Sequence, residues 1–84
     1  MNALEAHAAK QTTTVLADSL AILAARGNKL TKEERMARAA IIGAIESRYP
    51  EVDAATLAWA DDTDSTLTYE DVIFSTLKSL EVTA

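Results

Sequence analysis

The chain has 84 residues, a net charge of −5, no cysteine, two glycines and one proline. This length is typical of one domain, and the lack of cysteine excludes disulfides and thiolate metal sites. Apolar runs such as Ala21–Ala25 are too short to span a bilayer, and the N-terminus lacks the basic start and apolar run of a signal peptide. We therefore expect a single cytoplasmic domain, residues 1–84, with no membrane segment.

The first predicted helix extends from about Asn2 to Arg26 and ends at Gly27, a residue suited to the left-handed position that follows a helix. Its apolar stripe is weak at the start and strong from Val15 onward. The segment Gln11–Thr14 contains three threonines, which lose side-chain freedom in a helix and compete for its backbone groups. The pattern predicts either one continuous helix or a helix with a frayed or bent first half.

The second predicted helix follows Thr31, which forms a capping-box pattern with Glu34 three residues later. Pro50 ends this helix, because the residue before a proline avoids helical geometry. The same proline begins a third helix that extends to Asp61, since its missing N–H has no partner in a first turn anyway. The apolar face predicted for the second helix comprises Met36, Ile41, Ile42, Ile45 and Tyr49.

The fourth predicted helix, residues 68–81, begins with another cap, in which Asp71 follows Thr68 by three residues. Abundant alanine and scarce glycine favour helices over sheets throughout the chain. We therefore expect an all-α fold, a compact bundle of four helices or of three principal helices plus one short helix.

The acidic segment "WADDTDSTLTYEDV", residues 59–72, has acids at a spacing that calcium loops use. Asp62, Asp64 and Thr66 fit the first, third and fifth positions of such a loop. The sixth position of such a loop requires glycine, but here it is Leu67. The twelfth requires glutamate, but here it is Ile73. We therefore predict no metal site and interpret the acids as groups that favour helix N-termini and solubility.

The same segment is also a candidate surface, residues 61–71, that meets a basic partner or imitates nucleic-acid phosphates. Residues 46–84 contain nine acidic and two basic groups, a net −7. The alternative is a solvated acidic face, and the indole of Trp59 decides between the two: exposed it is a binding anchor, buried it belongs to the core. The predicted partner-binding residues are Trp59, Asp61, Asp62, Asp64, Glu70 and Asp71.

Residues 1–45 have the opposite bias, with six basic and four acidic groups, a net +2. Five of the basic groups lie in the segment 26–38, where two predicted helices joined by a short turn indicate a possible helix-turn-helix. A nucleic-acid-binding domain normally carries a clear positive excess, which this chain lacks. We therefore prefer a solvated helix face and keep a nucleic-acid-associated regulator as the alternative.

Catalytic groups are scarce. His7 is the only histidine, and the chain has no cysteine. Few other residues could therefore join His7 in a metal site or a catalytic triad. The serines lack an evident base, and no glycine-rich phosphate loop is present. We therefore expect neither enzymatic activity nor a cofactor.

The alanine-rich helices, the acidic balance and the second half, "RYPEVDAATLAWADD" followed by "TYEDV", resemble in texture the small accessory proteins of bacteriophages of high-GC hosts. This resemblance implies a protein that acts by binding and carries over no functional residue. Our leading prediction is a non-enzymatic helical interaction protein that binds a host or phage protein or forms a homo-oligomer. The segment Val15–Leu23 motivates self-association, because it offers apolar groups on more than one side.

Overall fold

The computed structural model describes residues 3–82, which contain five α-helices, a short 3₁₀ turn and no strand. In chain order the elements are α1 (Ala3–Ala9), α2 (Thr13–Ala25), the 3₁₀ turn (Gly27–Lys29), α3 (Lys32–Arg48), α4 (Pro50–Asp61) and α5 (Tyr69–Ser79). The all-α prediction is confirmed, and the helices form a compact bundle with a radius of gyration of 12.5 Å. No helix within these residues combines the length and the apolar character needed to cross a bilayer.

The first predicted helix is in fact two helices, separated by a turn at residues 10–12. The second of them begins at a new cap, in which the Thr12 hydroxyl accepts a hydrogen bond from the backbone N–H of Val15 at 3.2 Å. The prediction of one continuous helix is therefore wrong, because a threonine satisfies a backbone group from outside helical geometry. The bent alternative describes the chain better. Asn2, the predicted start, lies outside the described residues.

Most of the remaining helix ends lie within one residue of their predicted positions, but α5 ends at Ser79, two residues before the predicted Glu81. Gly27 has a φ of +61° directly after the last residue of the α2 cap, the left-handed conformation expected there. Thr31 with Glu34 and Thr68 with Asp71 both form reciprocal capping boxes at α3 and α5. A proline opens α4, also as predicted. These interactions are local, so the sequence alone defines them.

The core forms where α2, α3, α4 and α5 meet. α3 packs against α1, α2 and α4, and α5 packs against α4 and α2. Burying one large aliphatic side chain in this core stabilises the fold by about 1.5–3 kcal/mol. The largest fully buried side chains are Leu16, Leu20, Ile45, Val52, Ile73 and Leu77.

Met36 does not belong to the buried face of α3, so that part of the prediction is wrong. Its side chain is 47% exposed, whereas Ile45 is fully buried. Nine residues separate the two, which places them half a turn apart around a helix of 3.6 residues per turn. Met36 therefore lies on the outer side of α3.

Candidate interaction surfaces

Trp59 is half-buried and holds the acidic loop against the body of the molecule. Its indole Nε1–H donates a hydrogen bond to the backbone carbonyl of Leu67 at 2.9 Å. The indole also meets the ring of Tyr69 edge to face, with centroids 5.6 Å apart and planes at 84°. Its polar atom is thus bonded within the chain, and the residue links the end of α4 to the start of α5.

Glu70 and Asp71, two of the predicted partner-binding acids, have roles inside the fold. Glu70 accepts hydrogen bonds from the guanidinium of Arg38, with a distance of 2.8 Å from Nε to Oε1. Asp71 accepts the backbone N–H of Thr68 at 3.1 Å and completes the cap of α5. Glu70 and Asp71 thus differ from the other acids of the segment, because their carboxylates bind groups in α3 and at the start of α5.

The other three acids, Asp61, Asp62 and Asp64, are exposed at the end of α4. Asp62 accepts the backbone N–H of Asp64 at 3.1 Å, a turn that keeps the loop tight. One helical turn before Asp61 lies Leu57, whose side chain is 63% exposed. The acidic end of α4 thus has an exposed apolar residue beside it. Sequence reasoning did not include Leu57 in the candidate surface, because it placed this residue only to one side of the apolar face of the third predicted helix.

The basic segment is partly engaged in intrachain contacts. The guanidinium of Arg26 pairs with Glu34, and Arg38 pairs with Glu70. Arg35 donates from Nη1 to the backbone carbonyl of its neighbour Leu30 at 2.9 Å. Lys29 and Lys32 are also exposed. A helix-turn-helix that presents all five cations to nucleic-acid phosphates would first have to release these pairs.

A polar network links α3 to the start of α5. The Tyr69 hydroxyl donates to the carboxylate of Glu46, and the Arg38 guanidinium carbon lies 5.8 Å from the centroid of the Tyr69 ring. Burial, reinforced by the hydrogen bond to Glu46, raises the pKa of Tyr69 above its usual range. Tyr69 is therefore a neutral hydrogen-bond donor at physiological pH, which suits a structural contact.

The outer face of α2 carries two of the large apolar side chains that the fold leaves exposed. Leu16 and Leu20 turn inward and are buried, whereas Val15 is 43% exposed and Ile22 is 67% exposed. The two exposed residues are seven apart and therefore lie on one side of the helix. Asp18 is the only charged residue in α2. This face is the part of the strong first-helix stripe that the fold leaves uncovered.

Two shallow grooves lie along α3, one on each side of its outer face. The groove toward α1 has a volume of about 570 Å³ and includes Met36, Ala39 and Gly43. The groove toward α5 has a volume of about 420 Å³ and includes Ala39, Gly43 and Glu46. Small residues thus form a low ridge between the two grooves.

Titratable side chains do not converge into a metal-binding group of three or more anywhere within residues 3–82. His7 contacts Gln11, with 3.4 Å between its Nε2 and the Gln11 amide nitrogen. Comparison with protein families, curated proteins and solved structures found no match to this chain.

Proposed function

We propose that this protein is a non-enzymatic interaction protein that binds a protein partner through the outer face of α2. The exposure of Ile22, 67%, is the observation behind the proposal, because within residues 3–82 it is the largest among the exposed large apolar side chains. Val15 extends the same face two helical turns away. Covering a side chain of this kind is worth about 25 cal/mol per Å² of apolar area removed from water.

The chemistry of the face indicates the kind of partner. Its only charge is Asp18, so most of the contact is apolar, and a cation on the partner would pair with that carboxylate. An amphipathic helix with a basic residue beside its apolar stripe fits these requirements. The resemblance to phage accessory proteins supports a host or phage protein as the source of such a helix.

The test is a pull-down from a host lysate with three forms of the chain: the wild type, Val15→Asp/Ile22→Asp, and Leu67→Asp. The control places the same substitution at Leu67, a residue of the loop between α4 and α5 that is 51% exposed. We expect the wild type and the control to retain the same protein and the α2 variant to lose it. Circular dichroism confirms that all three are folded. Equal retention by all three would reject the α2 face as the binding surface.

A further inference from the structure

Two exposed stripes, one on α3 and one on α4, match each other in spacing, size and charge. Each has residues separated by four, three and four positions, which places them on one side of a helix. The α3 stripe comprises Lys32, Met36, Ala39 and Gly43, and the α4 stripe comprises Pro50, Ala54, Leu57 and Asp61. All eight residues are exposed.

We propose that the α3 stripe of one molecule binds the α4 stripe of a second copy, with the two helices antiparallel. In this register the Lys32 ammonium faces the Asp61 carboxylate of the second copy. Met36 faces Leu57. At the two remaining positions, Ala39 faces Ala54 and Gly43 faces Pro50. A parallel arrangement would instead put Lys32 opposite Pro50, so the charges favour the antiparallel one.

The apolar part of the contact involves one large side chain from each stripe. Met36 is 47% exposed and Leu57 is 63% exposed in the single chain. Each is one helical turn from the charged residue of its stripe, so both large residues and both charges lie at the same end of the antiparallel pair. The methionine side chain is flexible and adapts its shape to its neighbours, so Met36 can pack closely against Leu57 of the second copy.

Gly43 is the second observation that points to a close neighbour. It lies within α3, where glycine weakens a helix relative to alanine. A Cβ added at this position would meet nothing within 4 Å, so no contact inside the described chain requires the absence of a side chain. Gly43 and Ala39 also line both grooves of α3. A close approach by another helix backbone explains a glycine at this place.

Charge complementarity identifies the occupant as a second copy. The chain has no lysine or arginine between Arg48 and Lys78, so the α4 stripe lies in a wholly acidic stretch. Lys29 lies just before the α3 stripe and Asp64 just after the α4 stripe, and both are exposed. Both lie outside α3 and α4, at the same end of the antiparallel pair as Lys32 and Asp61, and they add charges of opposite sign there.

Charge reversal on each side provides the test, which is independent of the α2 face. The first variant is Lys29→Glu/Lys32→Glu, and the second is Asp61→Lys/Asp64→Lys. The side chains replaced are exposed, and each variant alone brings like charges together across the contact. By sedimentation, we expect the wild type to self-associate more weakly as salt rises, and each variant alone to show at least a tenfold higher dissociation constant.

An equimolar mixture of the two variants is the decisive measurement. In the mixture, the unchanged acidic side of the first variant meets the unchanged basic side of the second, and the two reversed sides also match. We therefore expect the mixture to regain wild-type association, which a folding defect in either variant would not produce. A mixture that stays monomeric, or a wild type that is monomeric up to millimolar concentration, overturns the proposal.

Gly43→Gln tests the close approach with a residue that forms helices well. Because a Cβ at this position meets nothing within 4 Å and glutamine favours a helix over glycine, we expect equal or greater thermal stability together with at least a tenfold loss of association. The Val15→Asp/Ile22→Asp variant is the matched control and keeps its association. If that variant becomes monomeric while Gly43→Gln still associates, the second copy binds at α2, and the proposed α3–α4 contact is wrong.

Discussion

The guanidinium of Arg38 in the middle of α3 is bonded to the carboxylate of Glu70 in the first turn of α5. The two residues are 32 positions apart in the chain, and their side chains are 32% and 15% exposed. The guanidinium lies against the ring of Tyr69, which in turn contacts Trp59. A basic residue of the predicted nucleic-acid segment and an acid of the predicted partner-binding segment thus neutralise each other inside the fold.

We expect Arg38→Met to lower the free energy of unfolding by about 1–3 kcal/mol, because it leaves the half-buried Glu70 carboxylate without its charged donor. Urea denaturation monitored by circular dichroism measures the change. Lys10→Met is the control, since it removes an exposed cation that lies outside the helices and outside the proposed α3–α4 contact. We expect it to stay within about 0.5 kcal/mol of the wild type. Equal losses in both variants would show that the pair contributes no stability.

The sequence could predict the parts of this fold that depend on near neighbours. Both capping boxes, the left-handed glycine and the proline at the start of α4 involve residues within a few positions of each other, so their chemistry is visible in the sequence. The threonine segment before α2 signalled the break, but propensity alone does not tell a bend from two helices. The cap at Thr12 decided between them.

The sequence could not predict which exposed faces the fold leaves uncovered. Met36 in α3 and Leu57 in α4 each belong to an apolar pattern with helical spacing. Such a pattern does not tell whether a given side chain faces the core or the solvent. The pairing of Arg38 with Glu70 depends on how α3 and α5 meet, which the separate charge patterns do not contain. Trp59 is a third such case, because its partner Leu67 lies in a loop with no periodicity.

Trp59→Phe is expected to loosen the acidic loop while leaving the bundle folded. Phenylalanine keeps an aromatic contact with Tyr69 but has no N–H to donate to the Leu67 carbonyl, so the unfolding free energy falls by about 0.5–1.5 kcal/mol. Hydrogen exchange should accelerate in residues 63–68 and stay unchanged in α2. Glu51→Gln is the control, because it changes an exposed side chain in the first turn of the same helix. If the loop exchanges at the wild-type rate in Trp59→Phe, the indole hydrogen bond does not hold it.

Arg48 fastens the short helix α1 to the rest of the bundle. Its Nη2 donates to the backbone carbonyl of Ala9 at 3.0 Å, and its Nη1 donates to the Thr13 hydroxyl at 3.3 Å. A helix of seven residues is too short to persist alone in water, so α1 depends on such contacts. The cation also meets the negative end of the α1 dipole.

For Arg48→Met we expect a local loss of structure rather than global unfolding. Amide protons of residues 3–9 should lose protection, with a cost of about 1–3 kcal/mol for the lost charged hydrogen bonds. Arg35→Met is the matched control, because that guanidinium also bonds a backbone carbonyl, but at Leu30. Native-state hydrogen exchange compares the two. Equal protection of α1 in both variants would remove Arg48 from this role.

The pKa of Glu34 tests which interaction dominates at the start of α3. The hydrogen bond from the backbone N–H of Thr31 is the largest cause that holds this pKa below its ordinary value of 4.5, and the neighbouring Arg26 adds a smaller effect. A lowered pKa in the folded state means that the carboxylate stabilises the fold above pH 4.5. This stability is lost as the pH falls through the folded-state pKa.

We therefore expect Arg26→Met to move the Glu34 pKa only part of the way back to 4.5, since the capping hydrogen bond remains. Titration of the carboxyl carbon by NMR measures this directly. Glu34→Gln keeps the capping geometry without a titrating group, so its stability deficit at neutral pH should shrink as the pH falls below 4.5. If Arg26→Met alone restores the ordinary pKa, the ion pair rather than the cap dominates at this helix end.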